Sequence, residues 1–227
     1  MRTIPGQKFR LDKISKIAQH FLRILNHLEF IPSSRFYNLT ISNKKNFVWF
    51  RVAKVGSRTI YSHLKENGLS LDLEHAYNVL HAPRFYKDYF KFAFVRNPWD
   101  RVVSCWYDKV FKENHFKFND VELKRMRQFK YFIDYVSSLA IESCNAHLRL
   151  QCTLIDLNAI DYLGRFETFA DDLCYVLDRI EIPSGRLLHK NKSYRKKNYR
   201  EYYNSTRGEK ISQIYQKDID IFGYKFD

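Results

Sequence analysis

Two short runs of unbroken apolar residues stand out along the chain, Phe47-Val48-Trp49-Phe50 and Phe92-Ala93-Phe94-Val95. Continuous runs of this kind fit strands that are covered on both faces, as in the parallel sheets of α/β proteins. They predict strands at Phe47–Val52 and Phe92–Val95, and a third is expected at Asp161–Phe166. Between them the apolar spacing lengthens to that of helices. Helices are predicted at Thr59–Asn67, with Gly68 as a stop, and at Pro98–Phe111, with Asn97 as cap and Pro98 where a missing N–H costs nothing. Three more follow at Val121–Leu139, Phe169–Ile180 and Arg207–Asp220. Strand–helix alternation predicts an α/β fold, a P-loop-like parallel β-sheet flanked by helices, with ligands at the carboxyl ends of the strands.

Ahead of the first strand, Ile14, Ile17, Phe21, Leu22, Leu25 and Leu28 recur at helical spacing in a polar, basic context. This amphipathic helix is expected to pack on the domain, although the pattern also suits peripheral membrane contact. No stretch approaches the length of a membrane span, and the N-terminus lacks the apolar centre of a signal peptide. The chain shows no repeat or low-complexity tract and contains only 7 Gly, which argues against long flexible joints. One domain at residues 46–227, preceded by a helical extension at 1–45, is the economical division. Without a leader or anchor, a bacterial-type cytoplasmic location is expected, a trimmed lumenal domain being the alternative.

Composition narrows the partners. A chain of 227 residues that is 45% apolar has material for one sizeable core. Its formal charge of +14 draws anions: nucleic acid, acidic membranes, phosphorylated or sulfated small molecules, acidic glycans. The cations are dispersed, densest at Lys190–Arg200 with Tyr194 and Tyr199 interleaved. No nucleic-acid-reading motif accompanies that run, so nucleic acid is not an expected partner. Lys192, Ser193 and Arg195 are its residues best suited to close over a ligand. The 16 Tyr and 19 Phe suit a large aromatic core and clefts where rings stack on ligands. Cys105, Cys144, Cys152 and Cys174 form no Cys-x-x-Cys pair and no zinc spacing, so reduced thiols are expected, with a Cys144–Cys152 bridge open in a secreted setting.

Two turns carry the chemistry. Lys54-Val55-Gly56-Ser57-Arg58-Thr59 leaves a buried strand and enters a helix. Gly56 permits positive φ, and the N–H groups opening the helix, with its dipole, can hold a phosphate. Ser57 and Thr59 offer hydroxyls and Lys54 a charge. The order is not that of a Walker A motif, where Lys follows the second Gly. At the second turn, Arg96 ends a strand and Ser104 lies further along the following helix. A guanidinium fork and a hydroxyl make a second phosphate site, while a buried structural salt bridge is the plainer role for Arg96. Asp100 and Arg101 read as a surface ion pair.

Together these residues resemble the sulfotransferases that use 3′-phosphoadenosine 5′-phosphosulfate (PAPS), in particular the carbohydrate sulfotransferase (sulfotransferase family 2-like) superfamily and its bacterial relatives. Phe94-Val95-Arg96-Asn97-Pro98-Trp99-Asp100-Arg101 with Ser104 matches that family's 3′-phosphate motif, and the Lys54 loop matches its 5′-phosphosulfate loop, with Arg58 a departure. His147 to Gln151, Gly164-Arg165-Phe166-Glu167, Tyr199–Tyr203 and Asp220–Phe226 are similar to later segments of the family. The resemblance implies that Lys54, Gly56, Ser57, Arg58, Thr59 and Ile60 hold the 5′-phosphosulfate and that Arg96 and Ser104 hold the 3′-phosphate. It implies a sulfuryl group moved to an acceptor hydroxyl, expected on a carbohydrate, with adenosine 3′,5′-bisphosphate as product and no metal. Lys54 would stabilise the developing negative charge. For the general base, His81 is the first choice, since related sequences carry His before the second strand, with His75 and His147 in reserve. Two other classes stay open: a P-loop-like kinase or nucleotide hydrolase, and a non-catalytic polyanion-binding protein.

Overall fold

The computed structural model describes residues 36–81, 83–184 and 198–226. The N-terminal amphipathic pattern and Lys192, Ser193 and Arg195 lie outside the described residues. A five-stranded sheet forms the centre, in the order β3-β1-β2-β4-β5. Its strands are β1 (Phe36–Ser42), β2 (Phe47–Phe50), β3 (Leu73–Leu80), β4 (Phe90–Val95) and β5 (Tyr162–Arg165). β2, β4 and β5 run parallel, whereas β1 pairs antiparallel with both β2 and β3. The sheet is therefore mixed, and the fold is a single α/β domain with a parallel core.

The two apolar runs form the two most buried strands. Every residue of β2 is buried, and in β4 only Phe90 is partly exposed. Trp49 stacks on its neighbour Phe92 across the pair, with ring centroids 6.0 Å apart. Gly164 of β5 has a packing reason: a Cβ there would come within 2.5 Å of the Phe94 ring.

β1 lies ahead of the boundary expected at residue 46, so the sheet already includes residues assigned to the helical extension. β1 and β3 mix apolar with polar residues and carry no long apolar run. Bulges interrupt their pairing.

The helices are α1 (Ser57–Glu66), α2 (Pro98–Trp106), α3 (Asp120–Met126), α4 (Phe129–Ser137), α5 (Phe169–Arg179), α6 (Ser205–Ile214) and α7 (Gln216–Phe222). Gly68 adopts φ 67° just past α1, and Asn97 caps α2 by accepting from the N–H groups of Trp99 and Asp100. The helix expected at Pro98–Phe111 changes to a π turn over Tyr107–Phe111. Val121–Leu139 and Arg207–Asp220 each divide into two helices. All four cysteines are free; burial pushes Cys105 up to about 11, and burial beside Asp218 pushes Cys152 up to about 12. Among the described residues no helix is long and apolar enough to cross a membrane.

Candidate functional site

β2 ends at the sheet centre, and the chain turns into α1 through two left-handed residues, Lys54 at φ 74° and Gly56 at φ 82°. Gly56 is required twice over, because a Cβ would also meet the Phe169 ring at 2.5 Å. Lys54 is not glycine, and its conformation is held from outside: Arg96 Nη1 donates to the Lys54 carbonyl at 2.9 Å. The Ser57 hydroxyl donates to the Val52 carbonyl at 2.8 Å, so its proton is engaged within the turn. The N–H groups opening α1 have no intrahelical acceptor, as at any helix start. Those of Thr59 and Ile60 are an exception, since both donate to the Gly56 carbonyl.

The second turn is at the end of β4. Arg96 is buried, and its Nε and Nη2 grip Asp100 at 2.7 and 2.6 Å. The guanidinium lies over the Phe166 ring at 3.9 Å. Its backbone is clamped by the Gln151 amide, which accepts from the Arg96 N–H at 3.0 Å and donates to the Arg96 carbonyl at 2.9 Å. Arg101 is not a surface partner of Asp100: it is 1% exposed and donates to the carbonyls of Ala53, Ala146 and Arg149.

Both turns open into one cavity of about 350 Å³, within the ordinary range for small-molecule sites. Lys54, Gly56, Ser57 and Arg58 line it from the first turn, Arg96 and Ser104 from the second. Thr59 and Ile60 do not line it. Both are buried, and their N–H groups donate to the Gly56 carbonyl. Tyr77, Tyr107 and Phe166 supply ring faces to the walls.

Sequence reasoning missed Asp108, which also lines the cavity from the π turn. Its carboxylate meets Lys54 at 2.7 Å, Arg58 at 3.3 Å and Lys109 at 3.9 Å. Partial burial alone would raise this carboxyl, but those cations outweigh it and hold it below the usual carboxylate range. Burial lowers the Lys54 ammonium, an effect Asp108 opposes. π turns are frequent at functional sites, and nothing in the local spacing announced this one.

The histidines separate clearly. His81 does not line the cavity. Its ring is buried among Tyr37, Phe50 and Tyr86, with Nδ1 3.1 Å from Asp156. It is a core residue here, 1% exposed. His75 and His147 both line the cavity. The His75 Nδ1 is hydrogen-bonded to Arg51 Nη1. A guanidinium can only donate, so His75 carries its proton on Nε2 and has its lone pair occupied. His147 is the reverse. Its Nδ1 and its backbone N–H both converge on Asn145 Oδ1, at 2.9 and 3.0 Å, which places the ring proton on Nδ1 and leaves the lone pair on Nε2. Burial, followed by nearby cations, lowers His75 to about 4; burial, His115 and neighbouring lysines lower His147 to about 3.

The donor set suits a polyanionic nucleotide: cations, helix-opening N–H groups and a hydroxyl, with ring faces between them. Residues 37–225 match the family model described as the sulfotransferase family. Comparison with curated proteins and with solved structures gives no match.

Proposed function

The chain belongs to the sulfotransferase family, and from that premise we propose that it transfers the sulfuryl group of PAPS to an acceptor hydroxyl, most simply on a carbohydrate. The observation that carries this is the single cavity shared by the Gly56 and Arg96 turns. PAPS, when bound, supplies the sulfuryl group and departs as adenosine 3′,5′-bisphosphate. The helix-opening N–H groups of Ser57 and Arg58, with Lys54, would hold its 5′ end. Arg96 and Ser104 would hold the 3′-phosphate, so that remote binding energy fixes the reacting centre. Lys54 would neutralise the charge developing as the donor's bridging oxygen is released. His147 Nε2 is the group with an available lone pair to take the acceptor proton, and Asn145 fixes its tautomer. His75, which also lines the cavity, has its Nδ1 engaged by Arg51.

Adenosine 3′,5′-bisphosphate is expected to raise the melting temperature, because a ligand bound by the native state alone stabilises it by about 2.7 kcal/mol at a hundredfold excess over Kd. Ser104→Ala should reduce that shift without loss of fold. Incubation with labelled PAPS and a panel of glycans and small alcohols, read by mass spectrometry for a gained sulfonate, identifies the acceptor. Absence of any melting shift at saturating bisphosphate, or a shift seen only with ATP and magnesium, would overturn the assignment.

A further inference from the structure

A second histidine packs against the ring of His147. His115 comes from the segment after the π turn and is half-buried. Its ring centroid lies 4.7 Å from that of His147, with the planes at 65°. Asn145 bonds both rings. Its Oδ1 accepts from the His147 backbone N–H and ring Nδ1, and its Nδ2 lies 3.4 Å from His115 Nε2.

The proton positions follow from one unambiguous group. A backbone N–H can only donate, so the oxygen of the Asn145 amide, not its nitrogen, faces His147. That orientation turns the amide NH2 toward His115. An amide NH2 can only donate as well, so His115 Nε2 accepts, and His115 is the neutral ring with its proton on Nδ1. Burial, followed by Lys109, holds His115 below the ordinary 6.5 against the opposing pull of Glu113 and Asp108, which agrees with a neutral ring. A protonated His115 would set N–H against N–H. Turning the amide over would relieve that clash only by setting the NH2 against the His147 backbone N–H.

The backbone is fixed on both sides of this contact. The His115 N–H donates to the Lys109 carbonyl in the π turn at 3.0 Å, and the Asn114 side chain accepts from the Phe118 N–H and donates to the Phe118 carbonyl at 2.9 and 2.6 Å. Opposite, the Asn145 carbonyl accepts from the N–H groups of Leu148 and Arg149 at 2.8 and 2.9 Å, and Arg101 holds the carbonyls of Ala146 and Arg149. Which way the amide faces is therefore set by its own polar partners, His115 on one side and His147 on the other.

Resting on the sulfotransfer reading above, we propose that His115 is a positioning residue for the transfer: as a neutral acceptor it fixes the Asn145 amide, and the amide keeps the His147 lone pair on Nε2, the nitrogen that takes the acceptor proton. His115 does not line the cavity and acts only through Asn145. The arrangement works against the free preference of imidazole, because a solvated ring adopts the Nδ1-protonated form less often than the Nε2-protonated one.

Long-range proton–nitrogen correlations of the isotope-labelled full chain read the tautomer of each ring directly. They are assigned by their loss in His115→Gln and in His147→Gln. Both rings should carry their proton on Nδ1 in the free protein. His115→Phe keeps a flat ring without an acceptor. It should move His147 toward the Nε2-protonated form and lower kcat severalfold, with KM for PAPS and the bisphosphate melting shift unchanged. His115→Gln returns an acceptor oxygen near the place of Nε2 and should restore both. A proton on Nε2 of His115 in the parent, or an unchanged His147 tautomer in His115→Phe, overturns the proposal. The correlations need no donor: if they behave as expected while the bisphosphate gives no melting shift, the positioning stands and the sulfotransfer reading falls.

Discussion

Asp108 pairs with Lys54 in the wall of the cavity, and under the proposed function its removal separates folding from donor binding. In Asp108→Asn the shape is kept and the charge is lost. Lys54 and Asp108 have side chains only 12% and 19% exposed and sit 2.7 Å apart. A charge-assisted hydrogen bond in such a setting contributes about 1.5–3 kcal/mol. The Arg58 contact, with Arg58 70% exposed, adds little after solvent screening. The free protein should therefore lose about 2 kcal/mol, which for a domain of this size lowers Tm by roughly 4–8 °C. In the complex the ligand's phosphate replaces the lost partner of Lys54, and no carboxylate remains to repel it. Adenosine 3′,5′-bisphosphate should bind about tenfold more tightly, which corresponds to about 1.4 kcal/mol.

The assay is paired: thermal melting of both proteins without ligand, and calorimetric titration of both with the bisphosphate. The pH dependence adds a check of sign. The Asp108 carboxyl is lowered in the folded state, so its stabilisation is present above its ordinary value of 3.8 and fades as pH falls through the folded value. The stability difference between variant and parent should shrink only in that acid range. A variant that melts lower but binds the bisphosphate equally or more weakly would refute the idea that Asp108 competes with the donor for Lys54.

Three further outcomes follow from the same geometry. His147→Gln should reduce kcat by about 10²–10⁴ while leaving the bisphosphate melting shift unchanged, measured by sulfonate incorporation beside thermal melting. His75 and His147 titrate in the fold at about 4 and about 3, below the 6.5 of a free imidazole, so the unfolded chain takes up protons first. Stability should fall as pH drops below 6.5 and continue falling toward 3, by at most about 1.4 kcal/mol per pH unit for each histidine, and denaturant titrations across that range read it. Gly56→Ala puts a side chain at φ 82° and against the Phe169 ring, so a loss of about 2 kcal/mol or more and of the bisphosphate shift is expected by thermal melting.

The parallel half of the fold was legible because β2 and β4 are covered on both faces and so read as unbroken apolar runs. β1 and β3 mix polar and apolar residues as many loops do, and their pairing is bulged. The two turns that open into the cavity were legible for a related reason. Gly56, Lys54, Arg96 and Ser104 are local in sequence, and their geometry follows from strand–turn–helix connections. Asp108, Arg51 and Arg101 were not legible. Their meaning comes from what the fold brings to them: a π turn for Asp108, β3 for Arg51, distant carbonyls for Arg101. His81 misled for the same reason, since only the placement of β1 and Asp156 makes it a core residue.

The polar groups that form the site also hold the fold, and this constrains how it can vary. Lys54 sits in a left-handed conformation that costs a non-glycine residue about 1–3 kcal/mol. Arg96 restrains it through the carbonyl, Gln151 restrains Arg96, and Asp218, itself 0% exposed, accepts from the N–H groups of Gln151 and Cys152. Arg101 ties the same turn to Ala146 and Arg149, next to His147. Removing any one of these partners strands another buried polar group, so its cost falls on stability and donor affinity together. Ser104 and His147 reach the cavity without carrying such a chain. Substitutions there can change binding or turnover while the fold stands, and they are the positions at which chemistry can be separated from architecture.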